Sequence, residues 1–446
     1  MNAGKKERIT MLLYSENTSQ RLSYIIGLLG NEIFCEPLRH TTDKKAFLGE
    51  TGPRINYSSE RLFPGEFFIR PHPLLFEQVI REQEINCFSF LDQPAFFATG
   101  GDYPFDLFAA SFYLLSRYEE YLPFDPDRYG RFPYQASIAF REKFLDCPLV
   151  NVWLEGFKKI LHEKFPELLF RIRDFRFLPS YDIDMAYAYK YKGFVRNAGG
   201  LVRSLVKGDW KGLFDRWDVL FQKKKDPFDN YEWLDSLHLY CRTRAYYFFL
   251  LARKQKGVDK NISPELEEMR SLVSYHAKGY VVGIHPSWQS GDDEQVLKKE
   301  IECLGNITGL PVKYSRQHYI RMVLPQTYRN LLRAGIVKDF SMGYGGANGF
   351  RASIASSFYW YDLEEEKQTG LKLYPFCFMD SNAFYEGKST PQQAFLELMH
   401  YYRKIKQLNG LMITVWHNQF FGPDPLFAGW KEVYEVFLRD EIYWDM

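Results

Sequence analysis

Five short apolar segments, several of which end in a polar or charged residue, constrain the fold of this chain more than any other feature. They recur at 176–184, 245–252, 279–287, 371–380 and 410–418. Helical patterns lie between them, at 264–276, 296–304, 325–334 and 391–406. Continuous apolar strands that alternate with helices are typical of a parallel sheet covered by helices. About five to seven such strands predict a complete or distorted β/α barrel, with an open doubly wound sheet as the alternative.

The segment before residue 170 has a different pattern and predicts a smaller α/β domain. Its predicted elements are a strand at 9–14 and helices at 21–29, 105–121 and 150–165. Ser19 has the side chain and the position of an N-cap for the first helix. We therefore predict an N-terminal α/β domain of unknown role at 1–170 and a barrel at 171–446.

The composition excludes several classes of function. The 57 Lys and Arg residues are balanced by 56 Asp and Glu, which argues against a chain that binds nucleic acid over its whole surface. Aromatic residues make up 18% of the chain, and they fill cores as well as bind sugar rings.

We find neither an apolar leader nor a membrane-spanning stretch. Six scattered cysteines without a C-x-x-C pair predict reduced thiols in a cytoplasmic protein.

A basic insertion is predicted at about 188–228, between the first two strands of the barrel. Residues 190–225 contain ten Lys and Arg residues against three Asp. The apolar residues that share one helical face here are Leu213, Phe214, Trp217, Leu220 and Phe221. Such a helix packs on the barrel with its lysines in water, or it lies on a membrane surface or covers an anionic ligand.

Two aspartates, Asp182 and Asp184, end the first apolar segment of the predicted barrel. Residues at this spacing share one face of a regular strand. Two carboxylates held so close repel each other unless a cation lies nearby. A divalent metal resolves the conflict, because one carboxylate ligates it and the other stays free as a base.

Histidines and arginines end or follow other segments. His285 lies at a strand end, where an imidazole facing Asp184 could bind zinc. His417 follows the most apolar segment and could protonate a leaving amine. Arg316 and Arg351 could each keep a carboxylate ionised and oriented, or hold substrate.

In their order along the chain, SYDID, GIHPSWQS and TVWHN resemble motifs of the polysaccharide deacetylases, the NodB-like carbohydrate esterase superfamily. The resemblance covers about 175–446. The segments FDLFAASFYLLSRYEEYLPFD, DFSMGY with GFRA, and FMD resemble a divergent bacterial branch with an extra N-terminal domain. The resemblance implies a base at Asp182, metal ligands at Asp184 and His285, an arginine at Arg316 and a catalytic acid at His417.

The second motif departs from the family pattern at Gln289, where a second metal-binding histidine is usual. Catalytic zinc commonly has three protein ligands and a water. The third ligand here could be Gln289, Ser287, His318 or Asp182, and the site could also be free of metal.

The resemblance implies a hydrolase, dependent on zinc or another divalent metal, that removes an acetyl group from an N-acylated sugar. Its substrate would be a polysaccharide or a precursor of one. Arg351 is a candidate for binding substrate, and Trp288 and Tyr319 are candidates for stacking on the sugar. The alternatives are a metal-free hydrolase of another C–N bond and a non-catalytic glycan-binding protein in surface polysaccharide assembly.

Overall fold

Two mainly parallel sheets organise the structure, a computed structural model that describes residues 10–443 except 207, 222, 255 and 256. The start of the first predicted strand lies outside the described residues. So do the first nine residues, on which the prediction of no leader depends.

The first sheet has four parallel strands in the order β2-β1-β3-β4. These strands are β1 (Leu12–Ser15), β2 (Arg39–Thr41), β3 (Arg54–Tyr57) and β4 (Phe67–Ile69). A two-stranded antiparallel ribbon follows, made of β5 (Phe88–Phe90) and β6 (Gln93–Ala95). The helices of this part are α1 (Gln20–Ile33), α2 (Lys44–Gly49), α3 (Leu107–Leu115), α4 (Ile138–Arg141) and α5 (Leu149–Lys164).

The predicted starts of these helices agree better with the structure than their ends do. The Ser19 hydroxyl accepts a hydrogen bond from the backbone N–H of Leu22, which confirms it as the N-cap of α1. The helix predicted at 105–121 is wrong in its last part, because α3 ends at Leu115. Arg117 has a φ of 56°, a left-handed conformation that breaks the α-helix, and a 3₁₀ turn at Tyr118–Tyr121 follows.

The second sheet has nine strands in the order β12-β13-β11-β10-β9-β8-β7-β15-β14. All neighbours are parallel except β12 and β13. The first five strands are β7 (Arg176–Ile183), β8 (Tyr246–Leu250), β9 (Val281–His285), β10 (Tyr314–Ser315) and β11 (Lys338–Asp339). The remaining four are β12 (Phe358–Asp362), β13 (Lys367–Leu373), β14 (Phe378–Met379) and β15 (Leu411–His417).

Eight helices accompany this sheet in the described part of the chain. They are α6 (Phe194–Val206), α7 (Trp210–Leu220), α8 (Tyr231–Tyr240), α9 (Glu267–Gly279), α10 (Glu294–Thr308), α11 (Gln326–Arg333), α12 (Pro391–Gln407) and α13 (Trp430–Val436). The four helices predicted between the apolar segments are confirmed as α9 to α12. None of the described helices is both long and apolar enough to cross a membrane.

The apolar segments form strands as predicted, with one difference. The segment at 371–380 divides into the end of β13 and the separate strand β14, because Pro375 lies between them and cannot donate a ladder hydrogen bond. The predicted parallel α/β architecture is therefore confirmed. A closed barrel is not shown, because no ladder among the described residues joins β14 to β12 or β13. The division of the chain near residue 170 stays a prediction.

The parallel arrangement brings distant parts of the sequence to one edge of the sheet. Strands β15, β7, β8, β9 and β10 are consecutive neighbours, so their carboxyl ends meet at that edge. In the register of the sheet His417 pairs with Asp182, and His285 pairs with Leu250. The polar residues that end the strands are thus gathered into one region.

Candidate active site

Three side chains at the carboxyl edge of the second sheet converge on one point. Asp184 follows β7, His285 ends β9, and His318 lies in a turn after β10. Their ligand atoms all lie within 4.8 Å of one another. Nε2 of His285 is 3.1 Å from Oδ1 of Asp184, and Nε2 of His318 is 3.5 Å from Oδ2. We call these three residues the Asp-His-His cluster.

Hydrogen bonds behind the two histidines set the direction of their free nitrogens. Nδ1 of His285 lies 2.6 Å from the carbonyl oxygen of Arg316, and Nδ1 of His318 lies 3.0 Å from Oδ1 of Asp259. Each Nδ1–H therefore donates backward, which leaves Nε2 as an acceptor directed at Asp184. Acceptors that face each other need a proton or a cation between them. Within the described part of the chain, Oδ1 of Asp184 has no hydrogen-bond partner.

This arrangement fits a divalent metal ion. Two imidazole nitrogens and one carboxylate oxygen are a common set of zinc ligands, and such a set leaves a position for water. Burial opposes ionisation of Asp184, but the rings of His318 and His285 hold its pKa well below the usual range. Burial also disfavours a charged His318, yet Asp184 and Asp259 raise the pKa of His318 to about 9. The cluster thus attracts positive charge strongly.

Asp182 lies beside the cluster and is held by a buried arginine. Nη1 of Arg316 donates to Oδ1 of Asp182 at 2.9 Å, and Nη2 donates to the Ser180 hydroxyl at 2.8 Å. Nε of the same guanidinium donates to the carbonyl of Phe340. The other oxygen of Asp182 lies 3.8 Å from Nε2 of His285. One oxygen is therefore fixed and the other faces the cluster.

His417 contacts the cluster through a different residue. Its Nε2 lies 3.6 Å from Oδ2 of Asp184, and its Nδ1 lies 2.6 Å from Oδ1 of Asp380. Burial lowers the pKa of His417, but the Asp380 carboxylate outweighs this effect and raises it to about 10. The Asp380 carboxylate thus favours the protonated form of this ring.

A cavity of about 420 Å³, which we call the site cavity, opens onto these groups. The catalytic and ligand candidates that line it are Asp182, Asp184, His285, His318 and His417. Tyr129, Tyr319 and Tyr385 also line it, which gives it the aromatic and polar character of a small-molecule site. Tyr319, a predicted sugar-stacking residue, thus lies in the wall of the site cavity, and its role stays a prediction.

Gln289, predicted as a metal ligand, does not join the cluster. Pro286 ends the strand, and Gln289 lies in the 3₁₀ turn Gln289–Gly291 that follows. Its side-chain amide donates to the carbonyl of Lys254 at 2.9 Å. His318, one of the alternatives considered for the third ligand, lies in the cluster instead.

Two further candidates lie outside the site cavity. The Trp288 ring is covered by the guanidinium of Arg321 at 4.4 Å and lies 6.1 Å from the ring of Tyr319. Arg351 is 1% exposed, and its Nε donates to Glu120 at 2.8 Å. The charge of Arg351 is thus compensated by the N-terminal part of the chain.

The N-terminal part matches a known family. Residues 11–166 fit the model of DUF7033, a family of unknown function. This match covers about a third of the chain, and no curated protein matches the sequence.

Two solved structures resemble part of the fold. One is a proposed polysaccharide deacetylase from Mycobacterium smegmatis, with 12% identity and a TM-score of 0.38 over 60% of this chain and 84% of that one. The other is a polysaccharide deacetylase from Bacillus cereus, with 14% identity and a TM-score of 0.28 over 60% of this chain and 89% of that one. TM-scores this low carry no functional argument.

Sequence reasoning assigned no role to Asp380, Asp259 or Tyr129. Asp380 ends the apolar segment at 371–380, so its position at a strand end was a usable signal. Asp259 and Tyr129 lie in loops without a periodic pattern. Their places beside His318 and in the wall of the site cavity follow only from the folded chain.

Proposed function

We propose that the protein is a metal-dependent hydrolase that removes an acetyl group from an N-acylated sugar of a polysaccharide or its precursor. The observation that carries this proposal is the pairing of two differently held groups around the Asp-His-His cluster. Asp182, fixed by Arg316, contacts the cluster at His285. His417, fixed by Asp380, contacts it at Asp184. Hydrolysis of an amide needs a base for the water and an acid for the amine, and these two groups fit those roles.

Each side chain has a defined part in this proposal. Asp184, His285 and His318 would hold zinc or another divalent ion, which when bound polarises the amide carbonyl and acidifies a water. Asp182 takes the proton of the attacking water, and Arg316 holds that carboxylate in place through the hydrogen bond from Nη1. His417 delivers a proton to the departing amine.

The proposal includes membership of residues 175–446 in the polysaccharide deacetylase superfamily, after an N-terminal domain that ends near residue 170. Its support is the order of the sequence motifs together with the site geometry. A carbohydrate substrate follows from the same argument. A cytoplasmic location is also part of the proposal, and all six cysteines are free thiols, as a reducing compartment favours.

The test is acetate release from N-acetylated oligosaccharides by the zinc-loaded protein. We expect Asp182→Asn to lower turnover by about 10² to 10⁴, the usual range for a general base, with zinc content unchanged. Turnover that survives complete removal of metal would favour the metal-free hydrolase. Saccharide binding with no acetate release would favour the glycan-binding protein.

Contact with an anionic membrane through α6 and α7 also belongs to the proposal. These helices expose large apolar side chains, including Phe194 at 87%, Val206 at 83% and Phe214 at 61%. Arg203 and Lys211 are exposed in the same two helices. Exposed apolar and basic groups on the same pair of helices suit a bilayer with acidic headgroups, because the apolar groups enter the interface and the basic groups meet the lipid charge.

Flotation with vesicles tests this contact. We expect the protein to float with phosphatidylcholine vesicles that contain an acidic phospholipid and to stay behind with pure phosphatidylcholine. Phe214→Glu should abolish flotation. Ile172→Glu is the matched control, since Ile172 is 89% exposed and lies outside the insertion. Unchanged flotation of Phe214→Glu would contradict the assignment.

A further inference from the structure

A second cavity adjoins the site cavity on the side of the N-terminal part of the chain. Its volume is about 720 Å³. It lies between residues 127–135, the loop 344–348 and residues 382–397. The residues that line both cavities are Arg128, Tyr129, Arg131, Gly345, Asn382 and Glu386. The two cavities are therefore neighbouring parts of one groove.

The N-terminal wall of this groove is a loop with a fixed shape. The Asp127 carboxylate accepts hydrogen bonds from the backbone N–H groups of Tyr129 and Arg131, at 2.8 and 3.0 Å. It also accepts one from Nε of Arg131 at 2.8 Å. Nη1 of Arg131 then donates to the carbonyl of Tyr319 at 2.6 Å. The loop is thus tied to the residue that directly follows His318 of the Asp-His-His cluster.

The lining of the second cavity suits a sugar better than an ion. Arg131 is paired with Asp127, and Arg128 lies 3.7 Å from Glu386, so the charges in the lining largely compensate each other. The partly exposed ring of Tyr134 forms part of the wall beside the backbone of Gly346. Flat rings and neutral polar groups are what the apolar faces and hydroxyls of a saccharide need.

We propose that the second cavity binds the sugar units next to the one whose acyl group enters the site cavity. The ligand class is a neutral oligosaccharide of N-acetylated hexosamines. The N-terminal part of the chain would thereby select polymeric over monomeric substrate. This inference rests on the proposed function for the position of the reacting sugar. What it adds is that affinity should increase with the length of the oligosaccharide.

Binding measurements test this claim without any turnover. The probes are N-acetylglucosamine and its β-1,4 and β-1,6 linked tetramers, titrated calorimetrically into the Asp182→Asn protein. We expect at least one tetramer to bind about tenfold more tightly than the monomer. Equal affinity for the monomer and both tetramers, or no binding of either tetramer, would overturn the proposal.

Two further substitutions test whether the second cavity is the source of the higher affinity for the tetramer. Tyr134→Ala removes a ring from the wall, and Gly346→Leu fills the cavity. A Cβ at position 346 would lie 3.6 Å from the Tyr134 ring, an ordinary contact that leaves room for folding. Both should reduce the tetramer-to-monomer ratio to about two or less. Tyr359→Ala, which removes a ring of 42% exposure on β12, should keep it. Ratios that stay high in both variants would place the subsite elsewhere and overturn the assignment.

The outcomes separate this inference from the proposed function. If the wild-type protein releases no acetate but the ratio depends on Tyr134, the proposed chemistry fails and the subsite stands. If acetate is released but affinity does not depend on chain length, only the subsite fails.

Discussion

Nδ1 of His417 lies 2.6 Å from Oδ1 of Asp380, and the backbone N–H of His417 donates to the other oxygen of the same carboxylate at 2.7 Å. Asp380 is completely buried. This double contact fixes the orientation of the imidazole and places a proton on Nδ1, and the buried carboxylate favours the charged form of the ring. An acid of this kind is positioned before any substrate arrives.

Asp380→Asn should therefore impair catalysis without removing the histidine. The neutral amide no longer offsets the burial of His417, so the pKa of His417 falls. We expect kcat for acetate release to drop by about 10² or more and the alkaline limb of the pH profile to move to lower pH. Asp125→Asn, in an exposed loop, is the control. A pH profile identical to that of the wild type would rule out His417 as the acid.

Metal content should distinguish the observed cluster from the ligand expected at Gln289. His318→Ala removes a nitrogen from the cluster and should weaken zinc binding by at least about 10²-fold. Gln289→Ala removes an amide that bonds Lys254 and should leave zinc affinity within about twofold. Chelator competition measures both values. Comparable loss in the two variants would mean that the ligand set differs from the Asp-His-His cluster.

The buried carboxyl group of Glu300 should make the stability of the folded protein depend on pH. It lies behind the site, where Oε2 accepts from the backbone N–H of Ser287 at 3.0 Å. Burial raises the pKa of Glu300 from 4.5 to about 7 despite this hydrogen bond. The folded protein therefore holds the proton more tightly than the unfolded chain. Its contribution to the free energy of unfolding is lost as the pH rises from about 4.5 to about 7.

Glu300→Gln should remove this dependence, since the amide keeps an acceptor for Ser287 and carries no charge. At pH 8 we expect the variant to be more stable than the wild type, by about 3 kcal/mol at most. At pH 4.5 the two should be nearly equal. Urea unfolding at both pH values measures the difference. A variant less stable than the wild type at pH 8 would show that the ionised carboxylate is stabilised in place.

Removal of the single negative charge of Glu120 should cause a large loss of stability. Oε1 of Glu120 accepts from Arg117 and from Arg351, each at 2.8 Å, and all three side chains are at most 2% exposed. Arg117 keeps its second partner Glu119, but Glu120→Gln leaves the buried guanidinium of Arg351 without a counter-charge, which should cost about 3 kcal/mol or more. Glu155→Gln, which breaks a surface pair with Lys158, should leave the urea midpoint unchanged. Equal midpoints for wild type and Glu120→Gln would contradict the prediction.

The elements that have a recognisable hydrophobic pattern of their own could be predicted from the sequence. The ends of β7, β9 and β15 were predicted because an apolar segment stops at a polar residue, and parallel pairing then brings Asp182, His285 and His417 together. Strands β10 and β11 were missed because two residues are too few for any periodicity.

The partners of the site residues were harder to predict, because they depend on contacts between distant segments. Asp259 reaches His318 across 59 positions, and Arg131 reaches Tyr319 across 188. Neither pair has a local signature. The third member of the cluster was undecided for the same reason. The side-chain chemistry of Gln289 and His318 does not settle which of them joins the cluster, because this also depends on how the chain turns after each strand.

The buried contact between Glu120 and Arg351 links the part of the chain that contains the first sheet to the part that contains the second. It joins positions 231 residues apart, and neither side has a balanced charge without the other. A chain cut between α5 and β7 would leave the Arg351 guanidinium of the larger fragment without the carboxylate that pairs with it. Heating should accordingly produce a single calorimetric transition, with both sheets melting together, rather than the two independent steps expected of separable modules.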